Sequence, residues 1–116
     1  MSAGRFFVCE AAELPPGARR VHTFDGRSIG VFNVGGEFFA LHNRCPHRAA
    51  ALCLGPVTGT TLPGFDYVYG REGELVRCAG HGWEFEIRTG RSLVDPRIRA
   101  KTFPVEVDSG RLYVVV

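Results

Sequence analysis

Apolar and polar residues alternate in short runs along most of the chain, a pattern typical of half-buried β-strands. The clearest run, "WEFEIRTG" at residues 83–90, predicts a strand that ends at Gly90. The other runs are separated by "GR", "GG", "REG" and "DSG", which suit tight hairpin turns. We predict strands at 5–9, 19–25, 28–34 and 37–43, hairpins at 67–78 and 102–116, and a loop at 54–66.

No window keeps the helical period over three turns, and Pro15 and Pro16 interrupt the best candidate. Short strands without long helices between them favour an all-β fold over a doubly wound one. We therefore expect about nine strands in an antiparallel sandwich or partly open barrel. With 116 residues, the chain (1–116) is predicted to be a single domain with one modest core.

Charge and composition narrow the function classes. The chain has 14 basic and 12 acidic residues, and they are interspersed, so we expect no nucleic-acid partner. No apolar run approaches the roughly 18 residues of a membrane span, and none at the N-terminus suits a secretory signal. These patterns predict a cytoplasmic protein without a membrane partner. Thiols stay reduced there, so its four cysteines indicate metal binding or buried thiols rather than disulfides.

Two Cys–His pairs stand out: C-P-H from Cys45 to His47, and C-A-G-H from Cys78 to His81. Each pair begins where a predicted strand ends, so backbone N–H groups there are free to point at a ligand. The small residues beside the pairs allow close approach of the backbone. Two thiolates and two imidazoles could hold a tetrahedral structural zinc or an iron–sulfur centre of mixed ligation. Spacing alone does not choose between these metals.

C-x-H followed by C-x-x-H-G-W resembles the signature of Rieske-type 2Fe–2S domains, and "CPHR…CAGHGWEFEIRTGRSL" is similar to their ferredoxin branch. The resemblance covers nearly the whole chain. It implies an all-β Rieske-like sandwich with a cluster-binding subdomain of two ligand loops, at about 44–54 and 77–86. It also implies one 2Fe–2S cluster, with Cys45 and Cys78 on one iron and His47 and His81 on the other, exposed iron.

Two departures from the family pattern concern the first loop and the segment after it. The family usually has Gly where this chain has Ala49. If the backbone there is left-handed, the alanine destabilises the fold by about 1 kcal/mol. His47 and Cys78 are separated by 30 residues, more than is usual in the family. We assign the extra length to a longer hairpin at 56–76, interpreted as an insertion rather than a partner-specific contact.

The resemblance also bears on the reduction potential, which spans about −150 to +300 mV in Rieske centres. High-potential relatives have Ser and Tyr hydroxyls where this chain has Trp83 and Phe85. A hydrogen bond to a charged acceptor contributes ~1.5–3 kcal/mol, and ~1.4 kcal/mol corresponds to ~59 mV for one electron. Lacking both hydroxyls should lower the potential by about 100–250 mV. In those relatives a disulfide joins the loops, but its second cysteine falls at Gly80 here, so Cys53 is predicted to be a packed free thiol, as is Cys9.

The hypothesis is a one-electron carrier rather than an enzyme. A monomeric, low-potential ferredoxin would accept electrons from a flavin-dependent reductase and pass them to a terminal oxygenase. Arg44 and Arg48, beside the first Cys–His pair, are the candidates for docking a partner. We interpret Trp83 as packing beside its loop, and His22 and His42 as residues without a functional role.

Three alternatives stay open at this point. A structural zinc module would use the same four ligands. A cluster-free relative, such as the small subunit of assimilatory nitrite reductase, would share the fold, although it usually lacks the ligands that are all present here. A redox sensor or a stand-alone respiratory adaptor would share the cluster.

Overall fold

The computed structural model describes residues 4–46, 51–61, 69–78, 83–95 and 97–116. This part of the chain contains ten β-strands and two short 3₁₀ helices. The strands are β1 (Arg5–Glu10), β2 (Arg19–Phe24), β3 (Arg27–Val34), β4 (Glu37–His42), β5 (Val57–Thr61), β6 (Tyr69–Arg77), β7 (Glu84–Glu86), β8 (Thr102–Phe103), β9 (Val105–Asp108) and β10 (Arg111–Val115). The 3₁₀ helices are η1 (Ala11–Glu13) and η2 (Leu52–Leu54).

The strands form three antiparallel sheets, with the orders β1-β10-β9, β2-β3-β4-β8 and β5-β6-β7. The predicted all-β, antiparallel fold is therefore confirmed. Across the described residues each sheet remains open, so the sheets do not close into a barrel. None of the helices in the described residues has the length and apolar character needed to cross a membrane.

Three two-residue turns fix the register of the hairpins. Both residues of each turn have positive φ, between 51° and 95°. This is the type I′ geometry, whose twist matches that of the flanking strands and which favours Asn, Asp and Gly. The turns are Asp25–Gly26, Gly35–Gly36 and Ser109–Gly110. The hairpins predicted from "GR", "GG" and "DSG" are present, and the first turns at Asp25–Gly26.

The middle of the chain corrects two predictions. Residues 57–61, expected in a loop, form β5, and the "REG" expected to be a hairpin turn lies inside β6. Thr58 pairs with Leu75 and Thr60 with Gly70, so the β6 residues between Gly70 and Leu75 form an irregularity in the ladder. The glycines there mark a bulge rather than a turn. The predicted hairpin between the ligand loops exists as β5–β6, and its tip lies outside the described residues.

The strand predicted at 83–90 is shorter than expected. β7 ends at Glu86, and the N–H of Gly90 donates to the Glu86 carbonyl at 2.7 Å, which closes a turn in place of a longer strand. The predicted alternation of buried and exposed side chains is nevertheless present, because Phe85 and Ile87 are fully buried while Glu86 is partly exposed.

In the described part of the chain, buried residues form two clusters, not the single core expected. β3 separates them, because it is buried on both faces: Ile29 and Val31 face one cluster, and Phe32 and Val34 the other. The first cluster, which we call the terminal core, includes residues of β1 and β10; its members are Val8, Cys9, Leu14, Phe24, Ile29, Val31, Ala40, Phe103, Leu112 and Val114. The second cluster is the loop core. The loop core contains residues beside the predicted ligand loops; its members are Phe32, Val34, Leu41, Cys45, Leu52, Cys53, Val76, Cys78, Phe85, Ile87 and Ala100.

Candidate metal centre

The first predicted ligand, Cys45, follows β4 by a short turn. The N–H of Arg44 donates to the His42 carbonyl at 2.7 Å, which bends the chain directly after the strand. Cys45 is fully buried in the loop core, while Arg44 before it and Pro46 after it are exposed. The turn therefore directs the thiol inward and leaves the neighbouring arginine in solvent, as a docking residue requires.

Asn43 closes the base of this loop. Its Oδ1 accepts a hydrogen bond from the backbone N–H of Cys53 at 2.8 Å, and its Nδ2 donates to Ser28 Oγ at 3.1 Å. Its own backbone N–H donates to the Ser28 carbonyl at 2.8 Å. One side chain thus joins the two ends of the first ligand loop to β3. Asn43 was not among the residues predicted to form the site; the available signal was an Asn at the end of a strand, where its side chain readily bonds to backbone.

The second predicted cysteine, Cys78, directly follows β6. Arg77 pairs with Glu84, and the N–H of Cys78 donates to the Trp83 carbonyl at 2.8 Å, which extends the β6–β7 ladder by one position. Cys78 is fully buried and belongs to the loop core. The second ligand loop is therefore closed by sheet hydrogen bonds, where the first is closed by a side chain.

The backs of the two loops are in direct contact. The N–H of Arg77, the residue before Cys78, donates to the Pro56 carbonyl at 2.9 Å. A Cβ added to Gly55 would lie 1.8 Å from the Arg77 carbonyl oxygen, so only glycine fits there. The segment after η2 therefore lies against the end of β6, and this packing brings Cys45 and Cys78 into one buried cluster.

The other two predicted ligands, His47 and His81, lie outside the described residues, as do Arg48, Ala49 and Gly80. No group of three or more His, Cys, Asp or Glu side chains in the described part could hold a metal ion. The described residues thus contribute two thiols. Two buried thiols at adjoining loops fit a metal that prefers sulfur, either an iron–sulfur centre or zinc.

The remaining two cysteines are packed thiols. Both Cys9 and Cys53 are buried and free of disulfides, as predicted. Cys53 Sγ contacts the Leu41 carbonyl at 3.4 Å, and burial raises the pKa of this thiol to about 12. Burial also raises the pKa of Cys9. Cys53 therefore has a packing role within the loop core, where its Sγ lies against a backbone carbonyl.

Aromatic residues complete the surroundings. Phe85 is fully buried and Trp83 packs against the loop core, which confirms that Trp83 lies beside its loop. His42 and His22 contact phenylalanine rings edge-on, at centroid distances of 6.3 and 6.0 Å. Burial, ahead of nearby positive charges, lowers the pKa of His42. His42 therefore has a packing role, whereas His22 is exposed and lies against the Phe24 ring.

Comparison with known proteins identifies the class of this fold and site. The family model of the Rieske [2Fe-2S] domain matches residues 4–104, and the chain belongs to this family. Its cofactor is accordingly a 2Fe–2S cluster, and the buried thiols of Cys45 and Cys78 suit that assignment.

The chain is also similar to particular ferredoxins. It is 36% identical, over 115 residues, to the 3-phenylpropionate/cinnamic acid dioxygenase ferredoxin subunit of Photorhabdus laumondii, covering 97% of this chain and 94% of that protein. Among solved structures, a complex of reduced oxygenase and oxidized ferredoxin in carbazole 1,9a-dioxygenase matches with a TM-score of 0.77 and 28% identity, covering 96% of this chain and 92% of the other. These relatives confirm a Rieske ferredoxin, an electron carrier and not itself an enzyme.

One further similarity concerns the nitrite reductase small subunit, which the sequence left open as an alternative. A putative NADH-dependent nitrite reductase small subunit from Mycobacterium tuberculosis matches with a TM-score of 0.77 and 24% identity, covering 98% of this chain and 96% of the other. At that identity the likeness shows a shared fold and no more.

Proposed function

We propose that this ferredoxin passes single electrons from a flavin-dependent reductase to the terminal oxygenase of a ring-hydroxylating dioxygenase system. The observation that carries the proposal is the burial of Cys45 and Cys78 in one apolar core at two adjoining loops. Support for an oxygenase partner comes from the dioxygenase ferredoxin subunits and the oxygenase–ferredoxin complex to which the chain is similar.

We further propose that Cys45, His47, Cys78 and His81 are the four ligands. When bound, the cluster supplies reversible one-electron chemistry. The thiolates of Cys45 and Cys78 would hold it on its buried side, where the apolar loop core excludes water. Asn43 and the Cys78–Trp83 hydrogen bond would keep each loop closed around it. Exposed Arg44 lies beside the first pair, where it could contact a partner.

A low reduction potential is part of this proposal. Trp83 packs against the loop core and Phe85 lies inside it, and neither side chain has a hydroxyl to donate to the cluster. Fewer hydrogen bonds to sulfur favour the oxidised, less negative state. We expect a midpoint below about +100 mV, within the range of Rieske centres. A higher value measured by protein-film voltammetry would contradict this assignment.

We also propose that the ferredoxin acts as a monomer in the cytoplasm, a reducing compartment that suits a chain whose four cysteines form no disulfide. Sedimentation equilibrium of the loaded protein checks the oligomeric state.

The ligand assignment is tested by loading and spectroscopy. Protein purified without oxygen should contain iron and acid-labile sulfide, should lose colour on reduction, and should give a mixed-ligand EPR spectrum. C45S and C78S should lose the cluster, while the control C53A, which changes a buried thiol of the same core, should retain it. H47C and H81C should alter the spectrum. Zinc without sulfide, or an unchanged spectrum in both histidine variants, would overturn the assignment.

A further inference from the structure

Arg19, on β2, faces the loop core from outside the two ligand loops. It pairs across the sheet with Phe32, a member of the loop core, whereas the next residue, Arg20, pairs with Val31 of the terminal core. Side chains of paired residues project from the same face of a sheet. The two arginines therefore lie on opposite faces of the sheet, and Arg19 is the one on the face of the loop core.

The guanidinium of Arg19 reaches the point where the two ligand loops meet. Its Nη1 donates to the Gly55 carbonyl. Gly55 directly follows η2, which contains Cys53, and it lies against the Arg77 carbonyl one residue before Cys78. A single contact from β2 thus restrains the segment that joins the back of the first loop to the second.

The positive charge of Arg19 has no carboxylate within ion-pair distance among the described residues, while Arg20 lies 3.7 Å from Glu13. Arg19 is partly buried, so its charge is screened less than it would be in water. Burial raises the pKa of the nearby Cys53 thiol, and a backbone hydrogen bond to Gly30 and the positive charge of Arg19 act against that increase.

We propose that Arg19 is a positioning residue that also sets the reduction potential of the cluster. The guanidinium holds the Gly55 segment in place, and its positive charge, which no carboxylate of the described residues neutralises, favours the reduced cluster, which has one more negative charge than the oxidised cluster. The proposal rests on the ligand assignment of the preceding section, in which Cys45 and Cys78 bind the cluster.

The test compares the loaded proteins R19Q, R19K and R20Q with the wild type by protein-film voltammetry, with iron and sulfide measured for each. R19Q should lower the midpoint potential by at least about 28 mV. This corresponds to a threefold change in the ratio of oxidised to reduced cluster, at ~59 mV per tenfold change. R19K keeps the charge and should shift it less. R20Q removes the same charge from the other face of the same strand, so its midpoint should match the wild type.

Each outcome is decisive. An unchanged midpoint in R19Q, or equal shifts in R19Q and R20Q, would overturn a specific role of Arg19. If R19Q does not take up the cluster, R19K is the deciding variant. A loaded R19K with the wild-type midpoint potential supports the proposal. If R19K also fails to take up the cluster, Arg19 is needed only for folding and the proposal is overturned. Wild-type protein without iron and sulfide would instead contradict the ligand assignment, before any Arg19 variant is compared.

Discussion

Asn43 is the residue on which closure of the first ligand loop depends. In N43A the buried backbone N–H of Cys53 loses its acceptor, at a cost of about 1–3 kcal/mol in the free energy of unfolding. Because the same bond closes the loop, the variant should also release iron faster to a chelator. Urea denaturation and the rate of iron release measure the two effects.

N43D is the matched control, because the carboxylate keeps an oxygen for the Cys53 N–H and loses only the donation to Ser28 Oγ. It should hold iron more firmly than N43A. Equal stability and equal release rates for N43A and the wild type would exclude a closing role for this side chain.

The buried thiol of Cys53 makes stability depend on alkaline pH. Burial raises its pKa to about 12 in the folded protein, from the ordinary thiol value of 9.0. Above pH 9 the unfolded chain releases the proton while the folded one retains it, so stability present below that pH is lost between about pH 9 and 12. From pH 8 to pH 10 the wild type should lose about 1.4 kcal/mol more than C53A. Denaturation curves at the two pH values check this; identical losses would contradict it.

Between elements, Gly55, after η2, packs closely against the end of β6. Gly55 has φ of −73°, which any residue adopts, so the cost of G55A is steric alone. The added methyl would displace the Arg77 carbonyl and with it Cys78, at about 1–3 kcal/mol or more. We expect lower thermal stability and less iron per chain. L54A, which truncates the exposed neighbour, should change the free energy of unfolding by less than about 0.5 kcal/mol.

The elements show how far the sequence determines the fold. Alternation and turn residues predicted the hairpins around Asp25–Gly26, Gly35–Gly36 and Ser109–Gly110, because period and turn type are local properties. β5 was missed because the glycines and prolines around "VTGTT" outweighed its β-branched residues. The candidate cysteines were found from a motif. Asn43 and Arg19 were not, because their roles depend on contacts with residues distant in sequence.

At the scale of the molecule, β3 divides the protein into two cores with different dependence on the cluster. The terminal core packs β1 and β10 against β3 and β4 and contains neither proposed cysteine ligand, whereas Cys45 and Cys78 both belong to the loop core. Metal binding stabilises the parts that form the site. Removal of the iron should therefore loosen the loop core more than the terminal core.

Hydrogen exchange of loaded and metal-free protein measures this difference. Amides of η2 and of β6 and β7 should lose protection when the iron is removed, while those of β1 and β10 should keep most of theirs. A uniform loss over all ten strands would instead show that the two cores unfold as one unit.

None of the four cysteines forms a disulfide, and among the described residues the backs of the two ligand loops meet through the Pro56–Arg77 hydrogen bond and the close packing of Gly55 against Arg77. Maturation of the protein therefore needs no thiol oxidation and no disulfide isomerase. Protein that has lost its cluster should therefore accept a new one without a disulfide having to be reduced first.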